Sequence, residues 1–87
     1  MKLTDLPNLG PVLAGNLHQV GVDTPEALRE VGAEQAFLRI RSQVDGTACF
    51  HQLTALAGAE AGILKRELPP ERKAELRAFF DGLRAPK

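Results

Sequence analysis

The stretch LPNLGPVLAGNLHQVGVDTPEAL, residues 6–28, carries the punctuation that decides how this chain folds. Gly10 and Pro11 mark a helix start, because proline suits the first helical position, where the N–H it lacks has no intrahelical partner to lose. Leu9, Leu13, Leu17 and Val20 then recur at three- and four-residue spacing, which puts them on one side of that helix. Gly21 is placed to take the left-handed conformation that closes it. Asp23-Thr24-Pro25-Glu26 opens the next helix, with Thr24 as N-cap, Pro25 at the first helical position and Glu26 toward the positive helix end. A link of about two residues joins the pair, as in a tight helical hairpin. Upstream, a single turn is expected around Thr4 to Leu6.

Working outward, Ala27, Leu28 and Val31 face inward from the short second helix, which Gly32 interrupts. Helix resumes over Ala33 to Ser42 with Ala33, Phe37 and Ile40 on one face. Val44-Asp45-Gly46 reads as a loop. A fourth helix from Thr47 to Gly62 presents Phe50, Leu53, Leu56 and Ala57 and ends in the small residues Gly58, Ala59, Ala61 and Gly62. A last helix starts at Pro69-Pro70-Glu71 and is expected to bury Leu76, Phe79, Phe80 and Leu83, spaced i, i+3, i+4, i+7. Strand-like alternation is absent, so the expectation is an all-α, compact five-helix single domain over residues 1–87, with the Ala-Pro-Lys end frayed.

A chain of 87 residues supports one modest core. Eleven Lys plus Arg against eleven Asp plus Glu give zero formal charge, which removes the long-range pull a basic protein has on polyanions. The single cysteine, Cys49, forms no intrachain disulfide, and Lys2 to Asp5 lack a signal-like apolar stretch, so a cytoplasmic protein is expected. No membrane contact is expected either. The longest weakly polar run, Leu53 to Leu64, is broken by Glu60 and falls short of the roughly 20 residues a bilayer requires.

The run Leu6-Pro7-Asn8-Leu9-Gly10-Pro11, followed by Ala14, Leu17, Gly21, Thr24 and Leu28, resembles the hairpin and second helix of helix-hairpin-helix (SAM-like) domains. Together with Gly32-Ala33-Glu34-Gln35-Ala36-Phe37-Leu38-Arg39, Ala55-Leu56-Ala57-Gly58-Ala59 and Leu68-Pro69-Pro70-Glu71-Arg72-Lys73-Ala74-Glu75-Leu76, it resembles the C-terminal domain of the TfoX (Sxy) family over nearly the whole chain. That resemblance implies a compact helical fold. For founding members, which carry a further N-terminal domain, it implies a role in switching on DNA-uptake genes. It implies no catalytic activity. The chain departs from the family pattern at Ala57, where an acidic residue is expected, and at Lys65-Arg66, where an aromatic often sits.

A helix-hairpin-helix turn can aim backbone N–H groups at a phosphate, and here Asn8, Gly10, Val12 and Leu13 are the candidate contacts. Weak, largely sequence-independent duplex binding at Asn8-Leu9-Gly10 is therefore one functional reading. Against it, no Lys or Arg lies between Leu3 and Leu28, and cationic phosphate contacts supply most non-specific duplex affinity. The plainer reading is a tight turn that delivers Leu6 and Leu9 to the core. A basic patch of Lys65, Arg66, Lys73 and Arg77, with Arg39, Arg41, Arg72 and Arg84 as further cations, is the second candidate surface, although Glu67, Glu71 and Glu75 are interleaved with it. Trp and Tyr are absent, which disfavours stacking on single-stranded bases.

Enzyme chemistry finds no constellation. Cys49 and His51, two apart on a helix, point away from each other, and no second Cys or HExxH motif completes a metal site. Cys49 is expected to be a small buried residue and His51 a solvated one. No cofactor and no small-molecule substrate are expected. The leading reading is a non-enzymatic interaction module that contacts a protein partner or its own copy. Gly58 and Gly62 are the candidate positions for a close contact, either with that partner or between the fourth and fifth helices.

Overall fold

The computed structural model describes residues 2–84; the expected fraying of the Ala-Pro-Lys end lies outside them. Among the described residues there are five α-helices: α1 (Pro11–Gln19), α2 (Pro25–Val31), α3 (Ala33–Gln43), α4 (Phe50–Ala61) and α5 (Pro70–Arg84). Two 3-10 turns, Leu3–Asp5 and Lys65–Glu67, complete the order, with no strand among the described residues. The all-α expectation holds.

Local chemistry sets most of the boundaries. Pro11 and Pro25 each open a helix, and Thr24 caps α2 by accepting the Ala27 N–H on its hydroxyl at 3.1 Å. α1 closes in a Schellman motif: the Val22 N–H reaches the Leu17 carbonyl at 2.9 Å, the Gly21 N–H reaches that of His18 at 3.1 Å, and Gly21 takes φ +83°. Gly32 separates α2 from α3 at φ 89°, ψ 150°, a conformation side chains strongly disfavour. α4 starts later than Thr47. Asp45 Oδ1 accepts both the Thr47 N–H (2.9 Å) and its hydroxyl (2.5 Å), which holds the chain in a turn until Cys49 caps the helix. These bonds to Thr47 also hold the Asp45 carboxyl below its ordinary pKa.

The core is built on α3 and α4, whose Phe37, Ile40, Leu53 and Leu56 are wholly buried. Leu17, Val22 and Leu28 from the first third of the chain and Leu76 from α5 are buried in the same core. The apolar stripe of α5 is less deeply seated than its spacing predicts: Leu76 is fully buried, whereas Phe79, Phe80 and Leu83 are half-buried. The ring of Phe80 still packs against those of Phe37 and Phe50, with centroids 6.0 and 5.6 Å away. No helix among the described residues is long and apolar enough to cross a membrane.

Candidate functional site

The residues that matter for a surface meet around Asn8 and the segment 63–69. Among the described residues, Asn8 is the non-glycine residue with a left-handed backbone, φ 70°, a conformation asparagine tolerates better than most. Its amide is turned inward. Nδ2 donates to the Ile63 carbonyl at 3.0 Å and more weakly to that of Ala55 at 3.4 Å, while Oδ1 accepts the Lys65 N–H at 3.1 Å. This clamp needs Gly58: a Cβ built there lies 2.5 Å from Asn8 Nδ2, 2.8 Å from the Ile63 carbonyl oxygen and 3.1 Å from the Lys65 nitrogen.

Two separately derived candidates, Asn8 and Gly58, are thus partners in one internal contact. α4 and α5 do pack together, but at Gly58 the close neighbours are the Asn8 amide and the Ile63–Lys65 backbone rather than α5. Gly62 has a different task. It takes φ 76° and closes α4 in a second Schellman motif, with the Ile63 N–H on the Gly58 carbonyl at 2.9 Å and its own N–H on that of Ala59 at 3.1 Å.

At the start of α1, Gly10 is the N-cap and Val12 is 79% exposed, while Leu13 is half-buried against the core. The first intrahelical bond runs from the Ala14 N–H to the Gly10 carbonyl, so the Val12 and Leu13 amides belong to the first turn that no helix satisfies internally. His18, in the last turn of α1, is paired with Asp23.

Of the basic candidates, Lys65 and Arg66 lie on the second 3-10 turn and Lys73 and Arg77 on α5. Lys65 and Arg66 are exposed on the second 3-10 turn and, with Asn8 and Leu64, line a small depression of about 200 Å³. Lys73 is exposed on α5 outside that depression, and Arg77 lies over the Phe50 ring at 5.1 Å and pairs with Asp81 at 3.3 Å. Beside segment 63–69 opens a larger cleft of about 670 Å³, with Arg29 from α2, Ala57, Glu60 and Ala61 from α4, and Ile63, Leu68, Pro69 and Arg72 around the rest of its wall.

Arg72 anchors that wall. Its guanidinium makes a two-pronged pair with Glu34, Nη1 to Oε2 at 2.7 Å and Nη2 to Oε1 at 2.9 Å, and approaches Glu75 at 3.2 Å and Glu60 at 3.8 Å. Glu60 also accepts the Ala33 N–H at 3.2 Å, so α3, α4 and α5 are tied at one point. The hydrogen bond from Arg72 holds the Glu34 carboxyl below its ordinary value, and Glu34 in turn raises the Arg72 pKa. Sequence reasoning missed this cleft, since Glu34 and Arg72 are 38 positions apart and neither stands out in its own helix.

Cys49 is exposed at the N-cap of α4, contrary to the expected burial; the delayed helix start leaves it in the approach to the first turn. His51 is exposed as well. No group of His, Cys, Asp or Glu among the described residues is arranged to hold a metal ion.

The family model of the TfoX C-terminal domain matches residues 1–80. The chain belongs to this family. Protein Sxy of Escherichia coli (strain K12) is 38% identical over 82 residues, an overlap of 94% of this chain and 39% of that protein. The chain therefore spans about two fifths of the curated relative's length. Among solved structures, the triclinic form of an uncharacterized protein from Listeria monocytogenes superposes with a TM-score of 0.95 at 40% identity, covering 98% of this chain and 96% of that one. A tetragonal form of a protein of unknown function from the same organism gives 0.89 at 42% identity, covering 93% and 98%. The clamp, the cleft and the Arg72 tie described above are thus features of this chain within a TfoX C-terminal fold.

Proposed function

We propose that this TfoX C-terminal domain is a non-enzymatic, cytoplasmic interaction module that serves regulation of competence or related DNA processes through protein contacts. The observation that carries this reading is the open cleft beside segment 63–69. It is floored by Ala57, Ile63 and Leu68, has its polar wall already paired through Glu60 and Arg72, and is large enough for a few side chains of another polypeptide. The similarity to Protein Sxy supports the regulatory setting. Protein contact is favoured over a DNA contact at the hairpin because the Asn8 amide is spent on Ile63 and Lys65, and the cations the fold brings beside it, Lys65 and Arg66, come together with the exposed apolar Leu64 rather than with a row of further Lys or Arg.

A photo-crosslinking amino acid placed at Ala61, on the cleft wall, tests the reading in cells that express the chain. Defined protein adducts from Ala61, absent when the probe is at Gln19 on α1, are the expected result. An adduct of twice the chain's mass identifies a second copy as the partner. Adducts to nucleic acid alone, or none from either site, sink the proposal.

A further inference from the structure

The cleft and the smaller depression share a segment: Ile63, Leu68 and Pro69 line the first, Leu64, Lys65 and Arg66 the second. Around this face the charges are unevenly committed. Glu60 is engaged by Ala33 and Arg72, and Glu67 accepts the Leu64 N–H at 2.9 Å. Glu34 and Glu75 are held by Arg72. Arg29, Lys65 and Arg66, by contrast, have no carboxylate partner among the described residues and are exposed. Glu30 and Glu71 have no cationic partner among the described residues, but they line neither depression. The residues that line the two depressions carry the cations Arg29, Lys65, Arg66 and Arg72 against the carboxylate of Glu60, so the lining is complementary to negative charge, with Glu67 keeping its charge at the edge of the segment. Its apolar part is equally plain: Leu64 is a large apolar side chain left 39% exposed, and Ile63 is half-buried beside the cleft floor.

We propose that segment 63–69 and its two depressions bind an acidic segment of a partner protein, with an aliphatic side chain seated in the cleft and flanking Asp or Glu carboxylates on Arg29, Lys65 and Arg66. The inference rests on the protein-contact reading above and adds the chemistry of the occupant. A nucleic acid fits less well, because phosphates match the three cations but leave the apolar floor and Leu64 uncovered. A guanidinium offers paired donors to a carboxylate, so Arg29 and Arg66 supply orientation as well as charge.

The test uses isotope-labelled full chain and three probes: a short blocked peptide with leucines flanked by Asp and Glu, the same peptide with Lys replacing every acid, and a short DNA duplex. The expected result is that the acidic peptide shifts the backbone amides of Arg29, Ala61, Ile63 and Leu68, and that its affinity falls with salt. Arg29→Glu combined with Lys65→Glu, both at exposed positions, weakens it about tenfold and shifts preference toward the Lys peptide. Equal shifts from the acidic and basic peptides overturn the acidic preference while leaving the cleft as a protein-docking site. Shifts from the duplex alone, at Lys65 and Arg66, overturn both readings, as does the absence of shifts from all three probes. The salt titration of the unaltered chain reads the same charge dependence without any substitution.

Discussion

Replacing Gly58 by alanine isolates the clamp between Asn8 and segment 63–69. In an ordinary helix interior the change is favourable by about 1 kcal/mol, because alanine restricts the unfolded chain more than glycine does. Here the added carbon meets Asn8 Nδ2 at 2.5 Å and the Ile63 carbonyl oxygen at 2.8 Å. The amide can swing aside, but only by giving up its bonds to Ile63 and Lys65, a loss of about 2 kcal/mol for two well-formed hydrogen bonds. The Ile63 carbonyl is backbone and its N–H is tied to Gly58, so relieving that contact shifts the Schellman turn and costs about 1–2 kcal/mol more. Subtracting the propensity gain leaves a destabilisation of about 2–3 kcal/mol, read as a fall in Tm of roughly 8–24 °C for a domain of this size. Urea denaturation followed by helical circular dichroism measures it. An Asn8→Gly background, which tolerates the left-handed backbone and removes the amide, should reduce the cost of the alanine, since the two changes share one contact. A Gly58→Ala chain as stable as the parent, or an alanine cost unchanged by Asn8→Gly, refutes the clamp.

Other perturbations probe separate parts of the fold. Arg72→Met leaves Glu34, Glu60 and Glu75 without their shared cation and should cost about 1–2 kcal/mol at neutral pH, since the paired side chains are only partly buried. Because Arg72 lowers the Glu34 pKa in the folded chain, that contribution is present above the ordinary carboxylate value of 4.5 and is lost as pH falls through the lowered one. Denaturation series at stepped pH should therefore show a shallower acid loss in Arg72→Met than in the parent; equal slopes count against the tie. Gly15→Ala, in open space on α1, should stabilise by about 0.5–1 kcal/mol, whereas Gly32→Ala, at φ 89° and ψ 150°, should destabilise by about 1–3 kcal/mol, and thermal melts that rank them the other way contradict the assigned conformations. Cys49 should react with a thiol reagent in the native state at the rate of its unfolded form within about tenfold, and strong native protection contradicts its exposure.

Local chemistry explains why the helix order was readable and why one boundary was not. Pro11, Gly21, Thr24, Pro25 and Gly32 each act on their own few residues, so their effect is visible in the one-dimensional string. Thr47 looked equally suited to open a helix, but Asp45, two positions before it, captures its N–H and hydroxyl first. The half-buried Phe79, Phe80 and Leu83 illustrate a different limit: periodicity identifies a face, while the depth of its seat depends on what other elements place opposite it. The surface was least legible. Asn8 and Lys65 are 57 positions apart, and Arg72 and Glu34 are 38 apart, so neither the clamp nor the cleft wall has a local pattern.

The clamp also bears on function. Asn8 holds the backbone at Ile63, which lines the cleft, and at Lys65, which lines the smaller depression. The hairpin turn therefore acts on the candidate surface from within, by fixing the shape of segment 63–69, rather than by offering its own side chain to a ligand. Loosening the clamp with Asn8→Gly should accordingly weaken the acidic peptide's binding even though Asn8 touches only the smaller depression's edge, and should do so with the charges of Arg29, Lys65 and Arg66 intact. A surface that depended on charge alone would keep its affinity and salt dependence in that variant; a surface that depends on a preformed cleft loses affinity while the salt dependence persists. The two substitutions, one to the cations and one to the amide that positions their segment, thus separate the attraction of the face from its preorganisation.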